Sequence, residues 1–340
     1  MRIAGRSIGS EQSPYIVAEV SANHGGQLAQ ALEMIELAAQ AGADAIKFQA
    51  YEAGTISIAS ARPEMTIREG LWKGQNLYAL YRMTQTPFKW FPELAAKAEA
   101  VGVTWFASVF DKTSVDMLMK LDCPAFKIAS FELIDLPLID YVAQTGRPII
   151  LSTGMATLEE ITEAYSAVDG RTQTCILHCV SGYPTPAAEA RLDRLCELKD
   201  YYVRVGISDH TVGAEIPVAA TALGAVMIEK HFKPQWFRGP DTKFSLAPVQ
   251  FKAMVGQVRA IWSALQPKTS TVEEPMRAFR RSLWVVDEVE AGEAFSAANV
   301  RSIRPGGGLL PKELPAVLGK TAARDIHKGT PLTSDLISLA

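Results

Sequence analysis

Leu28-Ala29-Gln30-Ala31-Leu32-Glu33-Met34-Ile35-Glu36-Leu37-Ala38-Ala39-Gln40-Ala41 runs into Gly42-Ala43-Asp44 and then Ala45-Ile46-Lys47-Phe48-Gln49. Leu32, Ile35, Leu37 and Ala38 recur at helical spacing, which predicts a helix over 28–41 with those residues on its apolar face, ended by Gly42. The apolar run 45–48 predicts a strand, and its polar end, Lys47-Phe48-Gln49, is where function would sit. The same grammar of apolar run, polar loop, amphipathic stretch and Gly or Pro break repeats from residue 15 to about residue 266. Candidate strands are 15–20, 45–48, 104–108, 125–128, 148–152, 174–178, 203–207 and 225–229. Eight βα units predict an α/β fold, a closed (β/α)8 barrel. A doubly wound open sheet is the alternative, but no Gly-rich dinucleotide turn follows the first strand.

The composition fits one large domain and a small one: 340 residues, 48% hydrophobic and 21% charged. With a net charge of -3 and no long basic run, neither nucleic acid nor an anionic membrane is expected as a partner. The first residues lack an apolar signal core and no apolar run approaches a membrane span, so a cytoplasmic setting is expected. Cys123, Cys175, Cys179 and Cys196 lack zinc spacing and read as reduced, buried thiols.

The connection from 50 to 87 is too long for a βα loop and reads as a functional lid or insertion. Residues 267–279 read as a linker between a domain over 1–266 and a small one over 280–340. In the small domain Glu288-Val289-Glu290-Ala291-Gly292-Glu293-Ala294-Phe295-Ser296 is echoed by Asp325-Ile326-His327-Lys328-Gly329-Thr330-Pro331-Leu332-Thr333. Each copy reads as a strand, a Gly turn and a short return, hence a pseudo-symmetric β unit.

Polar residues collect at the predicted strand ends, where barrels of this kind place their active sites. Lys47 and Lys127 offer point charges, and Ser108, Ser130 and Ser152 offer hydroxyls, for a small dianion such as a phosphate ester. His210 and His231 end adjacent strands, close enough to reach one divalent ion, with Glu19 and Gln49 as nearby oxygen groups. Two nitrogen ligands leave the rest of the shell to water and substrate, which favours Mn²⁺ or Mg²⁺ over structural zinc.

Glu19-Val20-Ser21-Ala22-Asn23-His24, Lys127-Ile128-Ala129-Ser130, Leu151-Ser152-Thr153-Gly154-Met155, Tyr183-Pro184-Thr185-Pro186, Gly206-Ile207-Ser208-Asp209-His210-Thr211 and Glu229-Lys230-His231-Phe232, with 42–49 above, together resemble the sialic acid synthase family. The tail resembles that family's small β-rich antifreeze-like (SAF, β-clip) domain through Arg304-Pro305-Gly306, Gly319-Lys320 and Lys328-Gly329-Thr330. Three stretches look like the pseudaminic acid branch of the family: 21–24, 77–81 with Thr86-Pro87, and 128–135. Two departures stand out. Gly25 replaces a usual polar residue, which would loosen a sugar contact, and Ala107-Ser108-Val109-Phe110 replaces the usual Ser-Thr-Pro-Phe while keeping a hydroxyl.

The resemblance implies a transferase that joins phosphoenolpyruvate to an amino-sugar aldehyde with a divalent metal at His210 and His231. It puts the phosphate near Lys47, Ser108, Lys127, Ser130 and Ser152, and the carboxylate near Ser181 and Ser208. It implies that Glu19 handles protons with Glu132 in support, and that Asn23, Gln49, Tyr183 and Asp241 are substrate contacts. It also implies a domain-swapped homodimer in which Arg304 reaches a partner's site. N-acetylmannosamine or a legionaminic precursor is the alternative acceptor, and a non-catalytic sugar-binding relative the alternative class.

Overall fold

Apolar strands buried on both faces close a parallel barrel in the first of two units, Met1–Gln266 and Pro267–Ala340, of this computed structural model, which describes residues 1–267 and 273–338. A short antiparallel pair, β1 (Arg2–Ile3) and β2 (Arg6–Ser7), precedes it. The barrel strands are β3 (Tyr15–Glu19), β4 (Ala45–Ala50), β5 (Thr104–Val109), β6 (Phe126–Ile128), β7 (Ile149–Ser152), β8 (Thr174–Cys179), β9 (Val205–Asp209) and β10 (Met227–His231). They pair in sequence order, and β10 closes the ring against both β9 and β3. Runs such as Ile149-Ile150-Leu151 carry no polar alternation because both faces are covered. All eight expected strands are present, with ends that differ by one to two residues. Strands β9 and β10 begin later than expected: Val203, although apolar, is 88% exposed ahead of β9. They also run on into polar residues, because Lys230 and Asp209 pair with each other at 2.5 Å.

Helices wrap the outside. The helix Leu28–Gln40 buries Ala31, Met34, Ile35 and Ala38, so its face is turned relative to the expectation, with Leu32 and Leu37 only partly buried. The small alanines let this face approach its neighbours closely while the leucines flank it. Gly42 ends the helix at φ +87°, and a Cβ there would also press on Val255 at 3.2 Å. Cys123, Cys175 and Cys179 are buried as expected. Cys196 is not: it lies on the exposed side of the helix Leu192–Tyr201.

The 50–87 connection holds the helices Ala53–Ile56 and Leu77–Thr84 and a bridge between Thr66 and Asn76, whose side chain caps the second helix at Ala79. Tyr51 anchors it, edge-on to Tyr81 and Phe110, with its hydroxyl 2.8 Å from Thr84. No helix among the described residues is long and apolar enough to cross a membrane.

In the second unit β11 (Ser282–Val285) pairs antiparallel with β12 (Val300–Ile303) over Leu283, Val285, Phe295 and Leu332. The two echoed stretches take the same course. Val289 and Ile326 bridge each other, and each is followed by a glycine turn, Gly292 at φ +83° and Gly329 at φ +85°. Of the expected linker, residues 268–272 lie outside the described residues. Pro275–Phe279 is a 3-10 turn whose Ala278 carbonyl accepts from Gly306 N–H, so that part is tied to the small unit.

Candidate active site

Side chains two apart along a strand share a face, so Glu229 with His231 and Lys47 with Gln49 each share one. The register sets Glu19 level with both Lys47 and His231, Ser108 with Lys127 and Gln49, and Glu229 with Ser208. Their side chains line a cavity of about 400 Å³ at the C-terminal ends of the strands. A hollow of similar volume opens at the other end of the barrel, so volume alone does not single out the site. The charged lining does.

Deep in the cavity two lysines and two carboxylates alternate. Lys47 Nζ is 3.3 Å from Glu19, 3.0 Å from Glu229 and 3.3 Å from Ser108 Oγ; Lys127 Nζ is 3.5 Å from the same Glu229 oxygen. Burial pulls the Lys47 ammonium down, but Glu19 and Glu229 outweigh it and leave it raised. Lys127, with only Glu229 close, stays lowered by burial. Burial opposes the charge on Glu229, yet Lys127 and Lys47 hold it well below the usual carboxylate range. Ser208 donates to Glu229 at 2.8 Å.

Hydroxyls surround the lysines. Ser152 and Ser181 have buried Oγ atoms without a partner, and Ser130 Oγ accepts from Gly154 N–H at 3.0 Å, leaving its own proton for the cavity. Gly154 is required by this convergence: a Cβ there would lie 2.2 Å from Ser181 Oγ and 2.8 Å from Ser130 Oγ. Gln49 donates to Glu19 and Ser21.

Toward the mouth the His210 and His231 rings lie 5.2 Å apart. His210 Nδ1 donates to Val180 O at 3.0 Å, which leaves Nε2 with a free lone pair. His231 Nδ1 is buried without a hydrogen bond, 3.5 Å from Asp241. Burial opposes the Asp241 charge, but His231 holds the carboxyl below its usual value. Two imidazoles with uncommitted nitrogens, one of them backed by a carboxylate, suit a divalent metal. Among the described residues no group of three or more His, Cys, Asp or Glu could hold one, so water or substrate would supply the remaining ligands. Tyr183 packs on His210 at 4.4 Å.

At the rim Glu132 is pushed up to about 7 by burial, and its Oε2 has no partner. Phe131 beside it is 60% exposed. The long connection supplies the remaining wall through Ile56, Ile67, Trp72, Leu77, Leu80 and Tyr81.

The cavity thus gathers every barrel residue expected at the site except Asn23. That side chain is fully buried outside the lining, donates to Phe232 O and Ser245 Oγ, and packs against Gly239. Expected as a substrate contact, Asn23 is held on its own loop by these hydrogen bonds. Neighbouring His24 is structural too: Nδ1 accepts from Gly26, Nε2 donates to Thr86 Oγ1, and burial lowers it to about 4. Gly25 is exposed at φ +57° and is not among the residues lining the cavity. Arg304 belongs to the second unit and is exposed. Glu229 is the main residue that sequence reading missed. Its spacing of two from His231 was the available signal.

The NeuB family matches residues 34–270 and the SAF domain residues 280–338. The chain is 40% identical to the pseudaminic acid synthase of Campylobacter jejuni, covering 95% of this chain and 96% of that one. It is 38% identical to the pseudaminic acid synthase of Helicobacter pylori, covering 95% and 98%. The solved N-acetylneuraminic acid synthetase of Leptospira borgpetersenii superposes with a TM-score of 0.72 at 32% identity, covering 81% of this chain and 95% of that one.

Proposed function

The chain belongs to the NeuB family, and from that premise we propose that it makes pseudaminic acid and phosphate from phosphoenolpyruvate, water and 2,4-diacetamido-2,4,6-trideoxy-beta-L-altropyranose. The observation that carries the reading is one cavity in which a lysine and hydroxyl cradle faces an imidazole pair. Lys47, Lys127, Ser130, Ser152 and Ser181 hold the phosphate and carboxylate of phosphoenolpyruvate. A divalent metal bound by His210 and His231 would polarise the acceptor's carbonyl oxygen. C3 of phosphoenolpyruvate bonds to the aldehyde carbon, water oxygen bonds to C2, and the C2–O bond to phosphate breaks. Glu19 takes the water proton, and Glu132, poised near neutrality, serves protons at the rim.

The wall from the long connection also supports the acceptor. Ile56, Ile67, Leu77 and Leu80 offer apolar surface to a methyl group where N-acetylmannosamine carries a hydroxyl. Sites of this kind reject an added hydroxyl by only about a hundredfold, so weak activity on N-acetylmannosamine fits the reading. The test is phosphate release with both sugars, with and without metal. A higher kcat/KM for N-acetylmannosamine overturns the acceptor assignment. The reading includes a homodimer in which Arg304 of each tail serves a partner's site. Mixing inactive Glu19→Gln and Arg304→Ala chains should then restore activity, and no recovery in the mixed dimer refutes the exchange.

A further inference from the structure

We propose that Glu229 is a built-in anion that competes with the substrate's phosphate for its donors and so limits how tightly phosphate is held. The inference rests on the reading of this cavity as a phosphoenolpyruvate site. An ammonium has three protons to give and a serine hydroxyl one. Lys47 donates to Ser108 and stands in ion-pair contact with Glu19 at 3.3 Å and Glu229 at 3.0 Å. The single proton of Ser208 goes to Glu229 Oε1 at 2.8 Å, and Lys127 faces that same oxygen at 3.5 Å. One carboxylate oxygen therefore sits within reach of both lysines that the cradle offers an incoming phosphate, and of the Ser208 hydroxyl.

The charge count points the same way. Lys47 and Lys127 contribute two formal positive charges, and Glu19 and Glu229 two negative ones. Before any metal is counted, an incoming phosphate thus meets four deep charges that cancel one another. To bind, it must draw Lys47 and Lys127 away from Glu229 and accept the repulsion of a buried carboxylate a few ångströms away. After the C–O bond breaks, the same repulsion favours release of the product phosphate. Glu229 is in this sense a positioning residue. It holds both ammonium groups ready and returns them once phosphate departs.

The test is calorimetric titration of the folded protein with inorganic phosphate and with phosphoenolpyruvate, for the wild type and for Glu229→Gln. Glutamine keeps an acceptor for Ser208 and removes the charge. Both ligands should bind about tenfold or more tightly to the variant. In turnover, KM for phosphoenolpyruvate and kcat should fall together, with stronger inhibition by inorganic phosphate. A residue with a merely structural role would weaken binding. Should Glu229→Gln fail to fold, Glu229→Asp, which withdraws the oxygen by one methylene, should shift affinity the same way by a smaller factor. Unchanged or weaker phosphate binding in the folded variants overturns the proposal alone. A wild type that binds neither ligand overturns it together with the reading of the cavity.

Discussion

Replacing Lys127 by Met tests the anion cradle most cleanly, because the structure separates the two lysines. Lys47 stands between Glu19 and Glu229, so its loss would take the shared ammonium from two buried carboxylates, leaving them Gln49, Lys127 and Ser208, and cost up to about 3–5 kcal/mol of stability. Lys127 is held by Glu229 alone, at 3.5 Å, and Glu229 keeps Lys47 and Ser208 when it goes. Burial already disfavours the Lys127 charge, so the fold loses little with it. The ligand loses a charge-assisted contact of about 1.5–3 kcal/mol, or roughly 10- to 150-fold in affinity. Calorimetry should therefore show phosphoenolpyruvate binding weakened by that factor while the melting temperature stays within a few degrees. Sugar binding should change by less than about threefold, since the acceptor wall lies elsewhere in the cavity. If Lys127→Met and Lys47→Met both bind phosphoenolpyruvate as the wild type does, the phosphate does not sit between these lysines.

Replacing His210 or His231 by Ala should abolish turnover and lower metal binding, measured on dialysed protein, with the fold intact, and chelator should act reversibly on the wild type. Full activity of a metal-free His231→Ala protein refutes the role. Gly154→Ala should weaken phosphoenolpyruvate binding at least tenfold by driving apart Ser130 and Ser181, whose Oγ atoms would lie 2.8 and 2.2 Å from the new carbon; unchanged affinity would show that these hydroxyls are not used. The Glu132 carboxyl is raised to about 7, so its contribution to stability is present below the ordinary carboxylate range and is lost as pH rises through 7. Glu132→Gln should therefore be more stable than wild type at pH 8, by about 1–3 kcal/mol, with no such gain at pH 4, as read by denaturant melts. An equal difference at both pH values contradicts this.

The barrel was legible because strands buried on both faces must be apolar along their length, and eight such runs recur between helical periods. The site was legible as position: Lys47, Ser108, Lys127, Ser152 and His231 are polar residues at the ends of apolar strands, where burial has to have a reason. Domain-scale repetition showed in the two glycine turns at Gly292 and Gly329, because positive φ leaves a mark in residue type.

Partnership was not legible. Asn23 and His24 stand in the same polar stretch as Glu19, yet Glu19 faces the cavity while they clamp a loop, because hydrogen bonds to Phe232, Ser245 and Thr86 come from residues 62 or more positions away. The helix Leu28–Gln40 chose its alanines over its leucines by how closely it could pack. Glu229 and Lys230 are neighbours in sequence, but the strand's alternation sends one to the lysines of the cavity and the other to Asp209. Sequence determined which residues are too polar to be buried without cause. Only the closure of β10 on β3 and β9 decided which charges meet, since an interaction that falls off with distance depends on the fold and not on spacing along the chain.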